Sequence, residues 1–130
     1  MDFYAIKSNE DVRVFLEKTN SLHDGYIIGV QYTNDAITHV DENGYLINPD
    51  ATRLILRILV TSIWNTVVEI EFEAIREWQI KERLWDMTDT SVVFDESDLI
   101  VWSNDVFTDM FDRKNKSYVI AASMKWRIVT

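Results

Sequence analysis

No cysteine occurs in the 130 residues, which removes disulfides, thiol nucleophiles and thiolate metal sites and fits a reducing compartment. Glycine is as sparse: Gly25, Gly29 and Gly44 stand apart from one another, so no glycine-rich phosphate cradle can be built. No apolar run approaches the roughly 18 residues that argue for a membrane span, and the first residues lack the basic-then-apolar pattern of a secretory signal. A cytoplasmic protein is expected. Basic residues are few, 13 against 22 acidic for a net charge of −9. That balance counts against a nucleic-acid binder, which needs a basic surface to neutralise phosphates. It permits a basic protein as partner, or simply keeps the chain in solution.

What is present points to one folded domain over residues 1–130. Apolar residues make up 47% of the chain and aromatics 12%, enough for a core and too rich for disorder. The organising stretch runs from Thr52 to Ala74. Folded back on itself about Trp64, it sets Val60 opposite Val68, Ile58 opposite Ile70 and Leu56 opposite Phe72, so one face is wholly apolar. The other face then carries Arg57 opposite Glu71, with Glu69 and Glu73 on the diagonals.

Ser8-Asn-Glu-Asp11 reads as an N-cap with an acid at the third helical position, opening a helix over about Asn9 to Thr19 whose narrow stripe is Val12, Phe15 and Leu16. Its expected seat is the charged face of the hairpin, over Ile55 and Leu59. Tyr26 to Tyr32 alternates as a strand, with Tyr26, Ile28, Val30 and Tyr32 together. Ala36 to Val40 reads as a short strand, and Asn43-Gly44 marks a tight hairpin returning through Tyr45 to Ile47 and Pro49. Arg76 to Glu82 favours a strand by its two-residue period, although Ile75, Trp78 and Gln79 would equally mark a helical turn. Ser91–Phe94 and Leu99–Trp102 flank Asp95-Glu-Ser-Asp98 as a second hairpin. Asn104 to Lys114 fits a short helix or a structured loop. Ser117 to Val129 alternates as one long strand, with Tyr118, Ile120, Ala122, Met124, Trp126 and Ile128 on one side. The fold class is therefore α+β: a mainly antiparallel sheet of six to eight strands with one N-terminal helix.

The pieces Leu22-His-Asp-Gly25, Arg53-Leu-Ile-Leu-Arg-Ile58, Glu69-Ile-Glu-Phe-Glu73 and Ala122-Ser-Met-Lys-Trp-Arg127 together resemble a group of small, acidic bacterial proteins of uncharacterised function. The architecture resembles that of immunity proteins that neutralise bacterial toxins. The likeness is one of style and transfers no functional residue.

Candidate chemistry is thin. His23 beside Asp24 has the makings of a general base or metal ligand; the plainer reading is that the pair fixes the start of a strand, with Gly25 taking an unusual backbone angle. His39, Asp41 and Glu42 joined to His23 would supply four donors, in a spacing that matches no ligand pattern. Asp95, Glu96 and Asp98 resemble part of a calcium loop without its glycine and closing glutamate. No Gly-x-Ser-x-Gly occurs and neither histidine has an identifiable serine partner, so no catalytic residue, metal or cofactor is assigned. The favoured reading is a non-enzymatic interaction protein, an inhibitor or immunity-type partner of a basic protein, that meets it through Glu69, Glu71 and Glu73 or through Glu96 and Asp98, with Trp64 as an exposed anchor. The rival is a small-molecule-binding or hydrolytic pocket at His23 and Asp24. Trp78, Trp102 and Trp126 are expected in the core.

Overall fold

A computed structural model describes residues 2–38, 40–45, 48, 50–63, 66–81, 87, 89–105 and 116–129. Among these, the chain forms strand β1 (Tyr4–Ala5), helix α1 (Asn9–Lys18) and strands β2 (Gly25–Asn34), β3 (Thr52–Val60), β4 (Thr66–Gln79), β5 (Ser91–Phe94), β6 (Ile100–Ser103) and β7 (Tyr118–Val129). The strands make one antiparallel sheet in the order β2-β3-β4-β7-β6-β5. One edge of β7 is shared: its first half pairs with β6, and its second half takes β1 through Tyr4 opposite Trp126. The expected α+β class is what the chain adopts.

The central hairpin forms with the expected faces but a register two residues away. Arg57 lies opposite Glu69 rather than Glu71, Leu56 opposite Ile70, and Leu54 opposite Phe72. A slip of two preserves which side each residue faces, so the apolar pattern cannot detect it. The turn decides: Val60 pairs with Thr66, and the Thr66 amide donates to the Ile63 carbonyl at 3.2 Å, which centres the reversal one residue before Trp64. Trp64 itself lies outside the described residues.

Helix α1 starts as its sequence dictates. The Asp11 amide donates to Ser8 Oγ at 3.2 Å, and Asp11 Oδ2 accepts from the Lys7 amide at 2.9 Å. The first bond satisfies a donor that the first turn would leave open, and the second ties the residue before the cap back to the helix. The helix seats on the apolar face, not on the charged face over Ile55 and Leu59. Val12 and Phe15 are buried with Leu54, Leu56, Ile58, Val68, Ile70 and Phe72, and the Phe15 ring meets Trp126 edge-on at 5.4 Å. The reason is area, because an unbroken aliphatic surface on three strands gains far more from cover than two isolated side chains among charges.

Irregularities redirect three strands. A bulge between Ile27 and Gly29 in β2 puts Tyr26 opposite Leu59 on the charged side while Val30 and Tyr32 face Leu56 and Leu54, so the four residues expected together are split. In β4, Ala74 adopts a left-handed backbone with φ of 54°, and the next amide, of Ile75, donates to Thr52 Oγ1 at 2.7 Å. Strand geometry persists to Gln79, which settles residues 76–79 as strand; Glu82 lies outside the described residues. In β7 the alternation breaks at Ala122 and Ser123, both exposed. Val119 and Ala121 therefore join Met124 and Trp126 in the main core, while Tyr118 and Ile120 pack with Val101 in a smaller cluster on the other side.

Residues 35–38 form a 3-10 turn, not a strand: the Ala36 amide donates to Asn34 Oδ1 at 3.0 Å, a local bond that competes with strand pairing. The chain reverses at residues 41–45 in a wider turn than the two-residue one expected: the Gly44 amide donates to the Asp41 carbonyl, Gly44 alone has a positive φ, of 84°, and Asp41 Oδ1 accepts from the Asn43 and Tyr45 amides. Residues 46, 47 and 49, on the expected return path of the hairpin, lie outside the described residues. The second hairpin forms as β5 and β6. Trp102 and Trp126 are buried, but Trp78 stays partly open against Tyr32, ring centres 5.2 Å apart. The helix or loop expected over residues 104–114 has Asn104 and Asp105 alone within the described residues.

Phe72 is fully buried between the hairpin and Trp102. Truncating it to alanine removes a large apolar contact and leaves a cavity, so Phe72→Ala should cost about 3–5 kcal/mol in urea unfolding; a loss below about 1 kcal/mol would show the ring outside the core.

Candidate functional site

The outer face of β3, β4 and β7, opposite α1, is a layered array of charge. Alternation brings Arg53, Ile55, Arg57 and Leu59 of β3, Glu69, Glu71 and Glu73 of β4, and Lys125 and Arg127 of β7 to that side. Each of the first two glutamates is gripped from both neighbouring strands. Glu69 Oε2 accepts from Arg57 Nε at 3.0 Å while its Oε1 accepts from Arg127 Nη2 at 2.8 Å. Glu71 has Arg53 Nε at 3.6 Å on one side and Lys125 Nζ at 3.2 Å on the other. Lys125 also reaches Glu73 at 3.5 Å.

The expectation of a solvated acidic row does not survive this geometry. The Glu69 and Glu71 side chains are only 4% and 9% exposed, against 60% for Arg57 and 48% for Arg53. Glu73, at the end of the row, is 52% exposed. Long basic side chains lay their stems over the shorter carboxylates and keep their heads in water. Phe3 adds cover, its ring 4.4 Å from the Arg127 guanidinium carbon and 5.0 Å from Lys125 Nζ, within cation–π range. What this face shows outward is cationic. The sign missed the sequence reading because β7, which supplies two of the four cations, lies some fifty residues from β4; the terminal alternation of Lys125 and Arg127 was the available signal.

The acidic turn between β5 and β6 is built by its first carboxylate. Asp95 Oδ1 accepts from the Ser97 and Leu99 amides at 2.8 and 2.9 Å, leaving Glu96 and Asp98 exposed. Asp98 borders an open groove of about 540 Å³ between the start of α1 and β5, lined also by Lys7, Asn9, Val93 and Phe94.

His23 and Asp24 lie elsewhere, at the junction of α1 and β2. His23 Nε2 is 3.7 Å from Asp24 Oδ1, and both side chains are nearly half exposed. Their carbonyls fix the junction: His23 O accepts from Ser62 Oγ at 2.6 Å and Asp24 O from Thr61 Oγ1 at 2.8 Å. The unusual backbone angle belongs to Asp24, with φ of 57°, and not to Gly25. Gly25 is needed for space, since a Cβ there would lie 2.7 Å from the Leu22 carbonyl oxygen. Before it, Asn20, Ser21 and Leu22 all take left-handed angles, a turn that costs non-glycine residues free energy and that tucks Leu22 fully into the core. Of the other donor cluster, His39 lies outside the described residues and Asp41 is engaged in its own turn. Among the described residues no three metal-capable side chains converge.

Two outcomes follow from the layered face. Glu69→Ala would strand two arginines, but both can turn to water, so the cost should be about 1–3 kcal/mol rather than that of a fully buried pair; Glu73→Ala, already solvated, should stay within about 0.5 kcal/mol in the same urea titration. The hydrogen bond to Glu71, and then the charges of Glu71 and Glu73, hold the Lys125 ammonium above its ordinary value despite partial burial. A cation favoured in the folded state stabilises fully below the ordinary lysine value and loses that contribution as pH climbs through the raised one. Lys125→Met should therefore flatten the alkaline decline in melting temperature between those limits.

No family model, curated protein or solved structure matches the chain.

Proposed function

We propose that the chain is a non-enzymatic protein-interaction module that binds through the outer face of β3, β4 and β7. The observation that carries this reading is the charge layering: exposed guanidinium groups are paired from below with buried carboxylates, with half-buried Ile55 between them and Leu59 beside Arg57. Pre-ordered arginines beside apolar side chains give a partner both orientation and area to cover, and little side-chain entropy is lost on binding. A cytoplasmic inhibitor or immunity-type role in a bacterium belongs to the same proposal.

A second reading keeps the basic partner. The net charge of −9 and the fixed turn that exposes Glu96 and Asp98 favour it, through steering of a cationic protein. The pocket reading at His23 and Asp24 draws only on their 3.7 Å contact.

Immobilised protein should capture a specific partner from native lysate, identified by mass spectrometry. Arg53→Gln with Arg57→Gln should abolish that capture while leaving a cooperative melt at a lowered midpoint, since Lys125 and Arg127 still pair the buried glutamates. Capture that survives this pair but is lost with Glu96→Lys and Asp98→Lys would move the binding surface to the turn.

A further inference from the structure

We infer that Arg53 and Arg57 form a paired carboxylate-receiving site for an extended acidic segment of a partner protein. This rests on the outer face being the binding surface and names the chemistry it takes. Each guanidinium spends its Nε on a buried carboxylate, Arg57 on Glu69 at 3.0 Å and Arg53 toward Glu71 at 3.6 Å. The Arg53 and Arg57 side chains are 48% and 60% exposed, which leaves the terminal Nη groups of each fork as the donors on offer to a partner. That pair of donors matches the two oxygens of a carboxylate; the Nε hydrogen bond to Glu69 holds the Arg57 fork in one orientation, and the 3.6 Å ion pair with Glu71 keeps Arg53 beside it.

The spacing specifies the segment. Arg53 and Arg57 are four residues apart on one strand, on the order of 13 Å, with Ile55 midway on the same face and Leu59 beyond. An extended chain of the pattern Glu-x-Leu-x-Glu places two carboxylates at that distance with an apolar side chain between them, since its own alternate residues share a side. A phosphate polymer would engage the forks but would leave Ile55 and Leu59 uncovered, and its dense charge is opposed by the −9 of the whole chain. A short segment with two carboxylates meets less of that repulsion, because at physiological ionic strength it is screened beyond about 8 Å.

The test is fluorescence anisotropy at physiological ionic strength with a short labelled peptide carrying Glu-x-Leu-x-Glu in a threonine- and valine-rich context. Versions with glutamine or lysine in place of both glutamates, and polyuridylate as competitor, complete the set. The glutamate peptide should bind about tenfold or more tighter than the glutamine peptide, the factor expected when charge-assisted bonds are lost. Arg53→Gln with Arg57→Gln should remove that preference while the melt stays cooperative at a lowered midpoint, since each buried glutamate keeps its cation from β7. Arg53→Lys with Arg57→Lys, which keeps the charge but not the fork, should weaken binding as well. Equal binding of the glutamate and glutamine peptides, no binding, or displacement by polyuridylate at matched charge would overturn the site. Preference for the lysine peptide, lost with Glu96→Lys and Asp98→Lys, would overturn it too while leaving the interaction-module reading standing with a basic partner.

Discussion

A strand paired along both edges can send its side chains only to two faces, and β4 lies between β3 and β7. Everything else in the chain answers that constraint. Val68, Ile70 and Phe72 on one side demand cover, which α1, Leu22 and the core residues of β7 supply. Glu69, Glu71 and Glu73 on the other demand cations, and these come from both neighbours, because a carboxylate midway between two strands is reached from either. A single face of β4 turned over would leave the core open and the glutamates buried in it. The facing of β4 is thus held by two unlike terms at once, apolar burial on one side and charge pairing on the other.

The faces were legible in the sequence because period-two alternation is local. Leu54, Leu56, Ile58 and Val60 announce their side within one strand. The register was not, because a two-residue slip maps each apolar residue onto another and still sets Arg57 opposite a glutamate, Glu71 in place of Glu69; the hydrogen bonding of the turn and the pairing of Arg53 with Glu73 distinguish the two. The layering was not legible for a different reason. Whether Glu69 is solvated depends on Arg127, and nothing in either segment says that β7 rather than another strand lies beside β4. The helix seat failed for want of the same knowledge, since the extent of the apolar face was visible only as one hairpin.

Backbone irregularity explains the remaining misses. The left-handed run Asn20 to Leu22 carries residues that tolerate such angles unequally: asparagine adopts them readily, leucine does not. Full burial of Leu22 and the bonds that Ser62 and Thr61 give to the junction offset the strain. Ala74 behaves alike, held by the Thr52 hydroxyl. Strain of this kind is set by tertiary partners, so the local sequence marks it weakly, and His23-Asp24 sits where the chain is turning a tight corner.

The charged face carries the same lesson into function. Composition says that acidic residues outnumber basic ones, but composition assigns no depth. Glutamate, with its short stem, is overlain when a longer cation stands on each side, and the arginines that overlie it keep their terminal donors for water or for a partner. The more completely Glu69 and Glu71 are paired, the less they contribute to the outward field at contact distance and the more firmly they aim the guanidinium groups above them. An acidic chain can thereby present guanidinium groups on its outer face, with its net charge acting at long range and the arginine forks setting the chemistry at contact distance.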